Sequence, residues 1–106
     1  MSYLILWEFI PREGKAREFE AAYGPDGPWA GLFREGAGFQ GSELWREGAD
    51  ARRYLTMDRW SSRAAFETFR AQFHVRYEAL DRQMEHLISQ EAYLGSFLIA
   101  GPEAAR

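Results

Sequence analysis

Thr56, Asp58 and Trp60 occupy every second position of TMDRW, with Met57 and Arg59 between them. Side chains of an extended chain point alternately to its two faces, so these three share one. A hydroxyl, a carboxylate and an indole side by side would suit a flat, oxygenated ring. The indole offers a stacking surface and an N–H that wants an acceptor. The hydroxyl offers a single donor to orient a substrate oxygen. A carboxylate facing a covered sheet surface is costly unless paired. Desolvation raises its affinity for a proton, which makes Asp58 a candidate base for a phenol or hydroquinone. Each residue also has a purely structural reading. Trp60 would plug the core between sheet and helices, Thr56 would serve as a strand former, and Asp58 would pair with Arg53, Arg63 or Arg70.

His74 and His86 are the only histidines. His74 lies one step off the apolar stripe of a long helical segment, where it is a second candidate proton acceptor or else a surface histidine at a hinge. His86 sits roughly 120° further around an unbroken helix, so the two do not share a face. Glu78 follows His74 at helical spacing, but a His/Glu pair without two more ligands does not make a metal site. The chain has no cysteine, which excludes disulfides, thiolate metal sites and a cysteine nucleophile. GPDGP, residues 24 to 28, lacks the spacing of a phosphate-binding loop and follows a helix rather than a strand. It reads as a helix–helix corner, after which Trp29 and Phe33 would wall a cavity opposite Trp60. Phe69, Phe73 and Tyr77 of the long helix are core formers and candidate wall residues on the same side.

These side chains need a scaffold, and the patterning supplies one. YLILWEFI, 3 to 10, is apolar on nearly every position, as in a strand covered on both faces. Ala16, Phe19, Ala22 and Tyr23 recur at helical spacing, with Gly24 as the stop. Asp26 is placed to cap a short second helix with Pro28 in its first turn. FQGSELWRE, 39 to 47, and RRYLTMDRW, 52 to 60, flank GADA as an antiparallel hairpin. From Ser62 onward, Phe66, Phe69, Phe73, Tyr77, Leu80, Met84 and Leu87 step by three or four without a slip. A straight helix over 62 to 87 would run roughly 40 Å, against about 27 Å for an eight-residue strand. The helix must therefore bend or break near 70 to 75, or its end must overhang the sheet. QEAYLGSFLIA, 90 to 100, is the last strand.

The order β, α, β, β, α, β predicts an α+β fold of the ferredoxin-like split βαβ kind, with a four-stranded antiparallel sheet. One domain over 1 to 100 is expected, with 101 to 106 as a flexible tail. Helices would cover one sheet face. The other would carry Leu4, Leu6, Leu44, Leu55, Met57, Leu94 and Leu98, or their alternates. So apolar a face predicts a homodimer packed sheet to sheet. Four Trp, five Tyr and eight Phe in 106 residues are generous for one thin core, which also favours an oligomer or a lined cavity. The formal net charge is −3 and arginines are interspersed with glutamates, so no basic stripe exists to bind nucleic acid. The N-terminal apolar run is too short for a signal peptide or a membrane span and contains Glu8, so a cytoplasmic location away from any membrane is expected.

YLILWEFIPREGKAREFEAAYGPDGPWAGLF, GFQGSELWR and RYLTMDRWSSRAAFETF together resemble the antibiotic biosynthesis monooxygenase family, of the dimeric α+β barrel superfamily. The likeness extends from residue 3 to about 98. It implies a cofactor-independent monooxygenase acting on a phenolic, hydroquinone or polyketide-like aromatic, with Trp60 stacking on the substrate. The polyketide oxygenases carry an asparagine where Thr56 stands here. The chain contains no asparagine at all. This also departs from the heme-degrading relatives, which resemblance associates with an asparagine on the first strand and a tryptophan and histidine on the last helix. The alternatives are a non-catalytic ligand-binding or structural dimer and a proton-transferring isomerase. The discriminator is whether Asp58 is left unpaired beside a void or is bridged to an arginine.

Overall fold

The computed structural model describes residues 2–101. Of the expected tail at 101–106, residues 102–106 lie outside the described residues. Four strands, β1 (Tyr3–Pro11), β2 (Phe39–Arg46), β3 (Tyr54–Trp60) and β4 (Ile88–Leu98), form one antiparallel sheet in the order β2-β3-β1-β4. Helices α1 (Ala16–Tyr23) and α2 (Pro28–Phe33) join β1 to β2, and α3 (Arg63–Gln72) and α4 (His74–Met84) join β3 to β4. A 3-10 turn over Glu85–Leu87 closes the second connection. The split βαβ order is as expected, and so is the break in the long helix. Phe73 ends α3 and caps α4, with φ −110° and ψ 19°. Among the described residues no helix is long and apolar enough to cross a membrane.

Local signals account for most boundaries. Ser62 accepts a hydrogen bond from the Ala65 N–H at 3.0 Å and so starts α3. Gly24 ends α1. Asp26 does not cap α2; Gly27 takes that place with no side-chain bond. A Cβ at Gly27 would lie 2.3 Å from the Ala21 carbonyl oxygen, so the corner between α1 and α2 is too tight for any other residue there.

Two bulges change which residues face the helices. Phe39 opposes Trp60 and Gly41 opposes Arg59, so Gln40 is skipped and Ser42, Leu44 and Arg46 fall opposite Asp58, Thr56 and Tyr54. Gly41 has φ +134°, a conformation that favours glycine. Leu44 therefore belongs to the helix side, not the outer face, and packs beside Phe9, Phe19 and Tyr54. On β4 Leu94 is skipped, as Ser89 is nearer the start of the strand, and Leu98 lies opposite Tyr3 on the helix side. Their alternates Trp45 and Phe97 take the outer positions, opposite Leu55 and Leu4. They are 55 % and 48 % exposed, so the outer face remains apolar at two large side chains.

The core between sheet and helices centres on Ile5, Trp29, Leu32, Phe33, Trp60 and Phe69. Trp60 is fully enclosed, with Phe69, Phe39 and Phe66 rings at 4.9, 5.2 and 5.6 Å between centroids. Gly36 closes this cluster: a Cβ there would sit 2.7 Å from the Phe69 ring and 3.0 Å from the Trp60 ring. At Gly31, inside α2, a Cβ would meet nothing within 4 Å. The two glycines should respond oppositely to alanine. Urea unfolding should show Gly36→Ala destabilised by about 1–3 kcal/mol from overpacking and Gly31→Ala unchanged or stabilised by up to about 1 kcal/mol. A neutral Gly36→Ala would contradict the close packing around Trp60.

Candidate active site

The helix-facing residues of β3 are Tyr54, Thr56, Asp58 and Trp60, but they do not share one environment. Trp60 disappears into the core. Thr56 and Asp58, nearer the middle of the strand, form the floor of a cavity of about 240 Å³. Its walls are aromatic: Trp7 and Phe9 from β1, Tyr23 from α1, Trp29 and Phe33 from α2, and Tyr77 from α4. Ser42, Arg70, Asp81 and Glu91 supply further polar lining. Strand alternation puts Thr56 and Asp58 here, the Gly41 bulge brings Ser42 beside them, and the α2 corner drops Trp29 and Phe33 over the top.

Asp58 accepts a 2.6 Å hydrogen bond from Ser42 Oγ and forms no ion pair among the described residues. None of the arginines proposed as its partners pairs with it among the described residues. Arg53 is on the opposite sheet face, 3.1 Å from Glu8 and 3.6 Å from Glu47. Arg63 pairs with Glu67 at 2.7 Å. Arg70 lies over the Tyr77 ring, its Cζ 3.8 Å from the ring centroid, and its buried Nη1 has no hydrogen-bond partner among the described residues. Burial dominates what is left, and it pushes the Asp58 carboxyl up to about 6, with the Ser42 bond a smaller opposing effect. Burial also raises the Tyr77 and Tyr23 phenols. Thr56 is 6 % exposed, and its hydroxyl makes no hydrogen bond among the described residues. The Nε1 of Trp29 likewise has no partner there.

Of the residues expected at the site, the structure brings together Asp58, Thr56, Trp29, Phe33 and Tyr77. It does not bring Trp60, Phe69, Phe73 or His74 to the cavity wall. Phe69 is buried against Trp60 and Phe33, and Phe73 stacks on Phe69 at 5.3 Å. His74 is exposed at the start of α4, with Nδ1 3.3 Å from the Ala71 carbonyl oxygen. One step off the stripe turned out to mean outward. Ser42 is the important residue that strand alternation missed. Counting in twos from Phe39 gives it the wrong face, and only Gly41 hints at the phase change. Trp7 and Phe9 were hidden within a strand apolar on both sides, and Arg70, Asp81 and Glu91 carried no local signal.

A family model described as antibiotic biosynthesis monooxygenase matches residues 2–77. The chain belongs to that family. No curated protein matches it. Among solved structures it is similar to SnoaB of Streptomyces nogalater, described as a cofactor-independent oxygenase, with 22 % identity and a TM-score of 0.69 over 94 % of each chain. It is also similar to Rv0793 of Mycobacterium tuberculosis, at 16 % identity and TM-score 0.68, covering 95 % of this chain and 97 % of that one. PA3566 of Pseudomonas aeruginosa gives 16 % and 0.67, covering 94 % and 95 %. These likenesses fix the fold. Within the family frame, Thr56 and Asp58 lie at the cavity and Trp60 lies behind it.

A carboxyl whose folded value is raised binds its proton more tightly in the native state than in the unfolded chain. Stability should then fall as pH rises from about 4 to about 6 and stay level above that, a cost on the order of 2–3 kcal/mol. Asp58→Asn keeps an acceptor for Ser42 and abolishes the charge. Denaturant unfolding should therefore find the variant more stable than the native protein at pH 8 and level with it near pH 4. Equal stability at pH 8 would mean that the carboxylate is not desolvated.

Proposed function

We propose that this chain is a cofactor-independent monooxygenase that oxidises a flat phenolic or hydroquinone-type aromatic in the cavity above Thr56 and Asp58. The observation that carries the reading is the unpaired carboxylate of Asp58 on the floor of an aromatic-walled void. A core serving only stability would gain by pairing that group with an arginine or replacing it. Family membership supports an oxygenase, and so does the likeness to SnoaB. The walls would hold the ring, as few polar groups in an apolar pocket usually do. Asp58 would accept the phenolic proton, its value near 6 being close to ordinary working pH. Thr56 would orient the substrate oxygen. The phenolate would pass one electron to O₂, and the radical pair would combine at a ring carbon. Reprotonation of that peroxide, with loss of water and of the C–H at the same carbon, gives a quinone. One oxygen atom stays on the ring and the other leaves as water, so no external reductant is required.

Trp60 has no stacking role in this reading, because its indole is enclosed by Phe33, Phe39, Phe66 and Phe69. Its contribution is to fix the end of β3 and hence the depth of the floor. His74 is likewise not the base; Asp58 alone of the two faces the void. Oxygen consumption with a panel of dihydroxy aromatics should be measurable for the native protein and reduced at least about 100-fold in Asp58→Ala. Trp60→Phe should lose stability while keeping its rate per folded molecule. Equal, near-zero uptake by all three proteins would remove the oxygenase reading for that panel.

The same reading includes a homodimer. Leu4, Leu6, Leu55, Met57, Trp45 and Phe97 share the outer sheet face, which the family resemblance assigns to a second copy. Sedimentation should give a dimer at micromolar concentration, and Met57→Glu should shift it to monomer. A monomeric native protein would contradict this part of the proposal.

A further inference from the structure

Among the described residues three buried side-chain nitrogens lack a hydrogen-bond partner: Nε1 of Trp29, Nε1 of Trp60 and Nη1 of Arg70. All three donate and cannot accept. A buried donor without an acceptor is destabilising, the more so where it carries charge. The Trp60 indole is wedged among phenyl rings. The other two belong to residues that line the cavity above Asp58. Both also lie against one side chain, Tyr77, the Trp29 ring at 5.0 Å between centroids and the Arg70 Cζ at 3.8 Å from the centroid. Trp29 is 7 % exposed, and its N–H lies toward the Tyr23 phenol without meeting it in hydrogen-bond geometry. Arg70 stands in the last turn of α3, where a cation suits the helix dipole. That does not account for Nη1, which reaches no carbonyl there. Stacking on Tyr77 occupies the flat face of the guanidinium and leaves the N–H bonds, which lie in the plane of the fork, unanswered. Asp58, Asp81 and Glu91 line the same cavity, yet none of them pairs with Arg70 among the described residues. Asp81 and Glu91 are exposed, so hydration and salt weaken their fields. The cavity wall therefore carries a cation with neither acceptor nor counter-ion.

We propose that Arg70 anchors a carboxylate of the substrate, so that the cavity takes a hydroxyaryl acid with its phenol over Thr56 and Asp58 and its carboxylate at the guanidinium. This rests on the reading of the cavity as a phenol site and adds the charge of the substrate to it. A carboxylate offers two acceptor oxygens in the plane of the fork and matches it side by side. It supplies both the acceptor and the countercharge that the fold withholds. The Trp29 N–H, on the same aromatic neighbour, is a further donor for it. The fold has already taken water from Nη1, so the ligand's own dehydration is the larger cost of the contact. A neutral tail would leave the guanidinium as it is. An ammonium tail would set a second cation beside the first.

The probes 4-hydroxyphenylacetate, 4-ethylphenol and tyramine carry the same phenol with an anionic, neutral or cationic tail. Their binding to the full chain at pH 7 can be compared by calorimetry, with no turnover required. The acid should bind about tenfold more tightly than 4-ethylphenol, and tyramine more weakly than either. Arg70→Met keeps an unbranched stem over Tyr77 and removes the charge. It should erase the advantage of the acid and leave 4-ethylphenol binding as it was. Arg70→Lys keeps the charge without the fork and should retain only part of that advantage. The comparison of the three ligands on the native protein decides the matter even if a variant does not fold. Equal binding of the acid and 4-ethylphenol, or preference for tyramine, would overturn the carboxylate anchor and leave the phenol site standing. An advantage of the acid that survives in folded Arg70→Met would do the same. Binding of none of the three would overturn both.

Discussion

Asp58 stands where a covered sheet would ordinarily place an apolar side chain. On β3 its neighbours on the same face are Thr56 and Trp60, and directly across it on β1 is Ile5. An ionised carboxylate there forgoes hydration and receives one hydroxyl in return, from Ser42 at 2.6 Å. One neutral donor does not offset the desolvation of a charge. The proton affinity of the group rises as a result, and the acid becomes a base of useful strength. The stability lost and the chemistry gained are two readings of the same desolvation, which is why an exchange between them is expected at such a site.

The rest of the fold holds that carboxylate beside a void rather than inside a packed core. The Gly41 bulge sets the phase of β2, and with it the Ser42 contact. The α2 corner at Gly27 brings Trp29 and Phe33 over the sheet. The break at Phe73 divides the long helical connection, so that Arg70 comes from α3 and Tyr77 and Asp81 from α4. Behind the cavity, Trp60 and its ring of phenylalanines form a dense wedge that Gly36 barely clears. The close-packed half of the interior and the open half meet between Asp58 and Trp60, two positions apart on β3.

Much of this was legible in the residues. The unbroken stripe from Phe66 to Leu87 predicted the long helical segment, and its length against the sheet required a bend or break near 70 to 75 or an overhang, of which the structure takes the break, at Phe73. Alternation along TMDRW put Thr56, Asp58 and Trp60 on one face, as found. Patterning did not show which of the three face space and which face atoms, because exposure to a cavity depends on packing from α2 and α3. Trp60 and Thr56 look alike on that count and end in opposite surroundings. Register was the second blind spot. A bulge costs one residue and inverts every later side chain on the strand, so the expected outer placement of Leu44 and Leu98 fails, and counting alone gives no hint that Ser42 faces the helices. Asp81 and Glu91 are only ten residues apart, but one is on a helix and the other on the strand that follows it, and neither pattern shows that they line one cavity.

The central claim concerns the protonation of one side chain, and that is open to direct observation. Carbon-13 NMR of aspartate-labelled protein, with Asp58→Asn used to assign the resonance, would follow the Asp58 carboxyl through a pH titration. The account predicts a midpoint near 6, with the value falling if solvent is admitted by trimming a wall residue such as Phe33. A midpoint at the ordinary aspartate value of about 4 would show a hydrated or ion-paired group and contradict the account at its foundation.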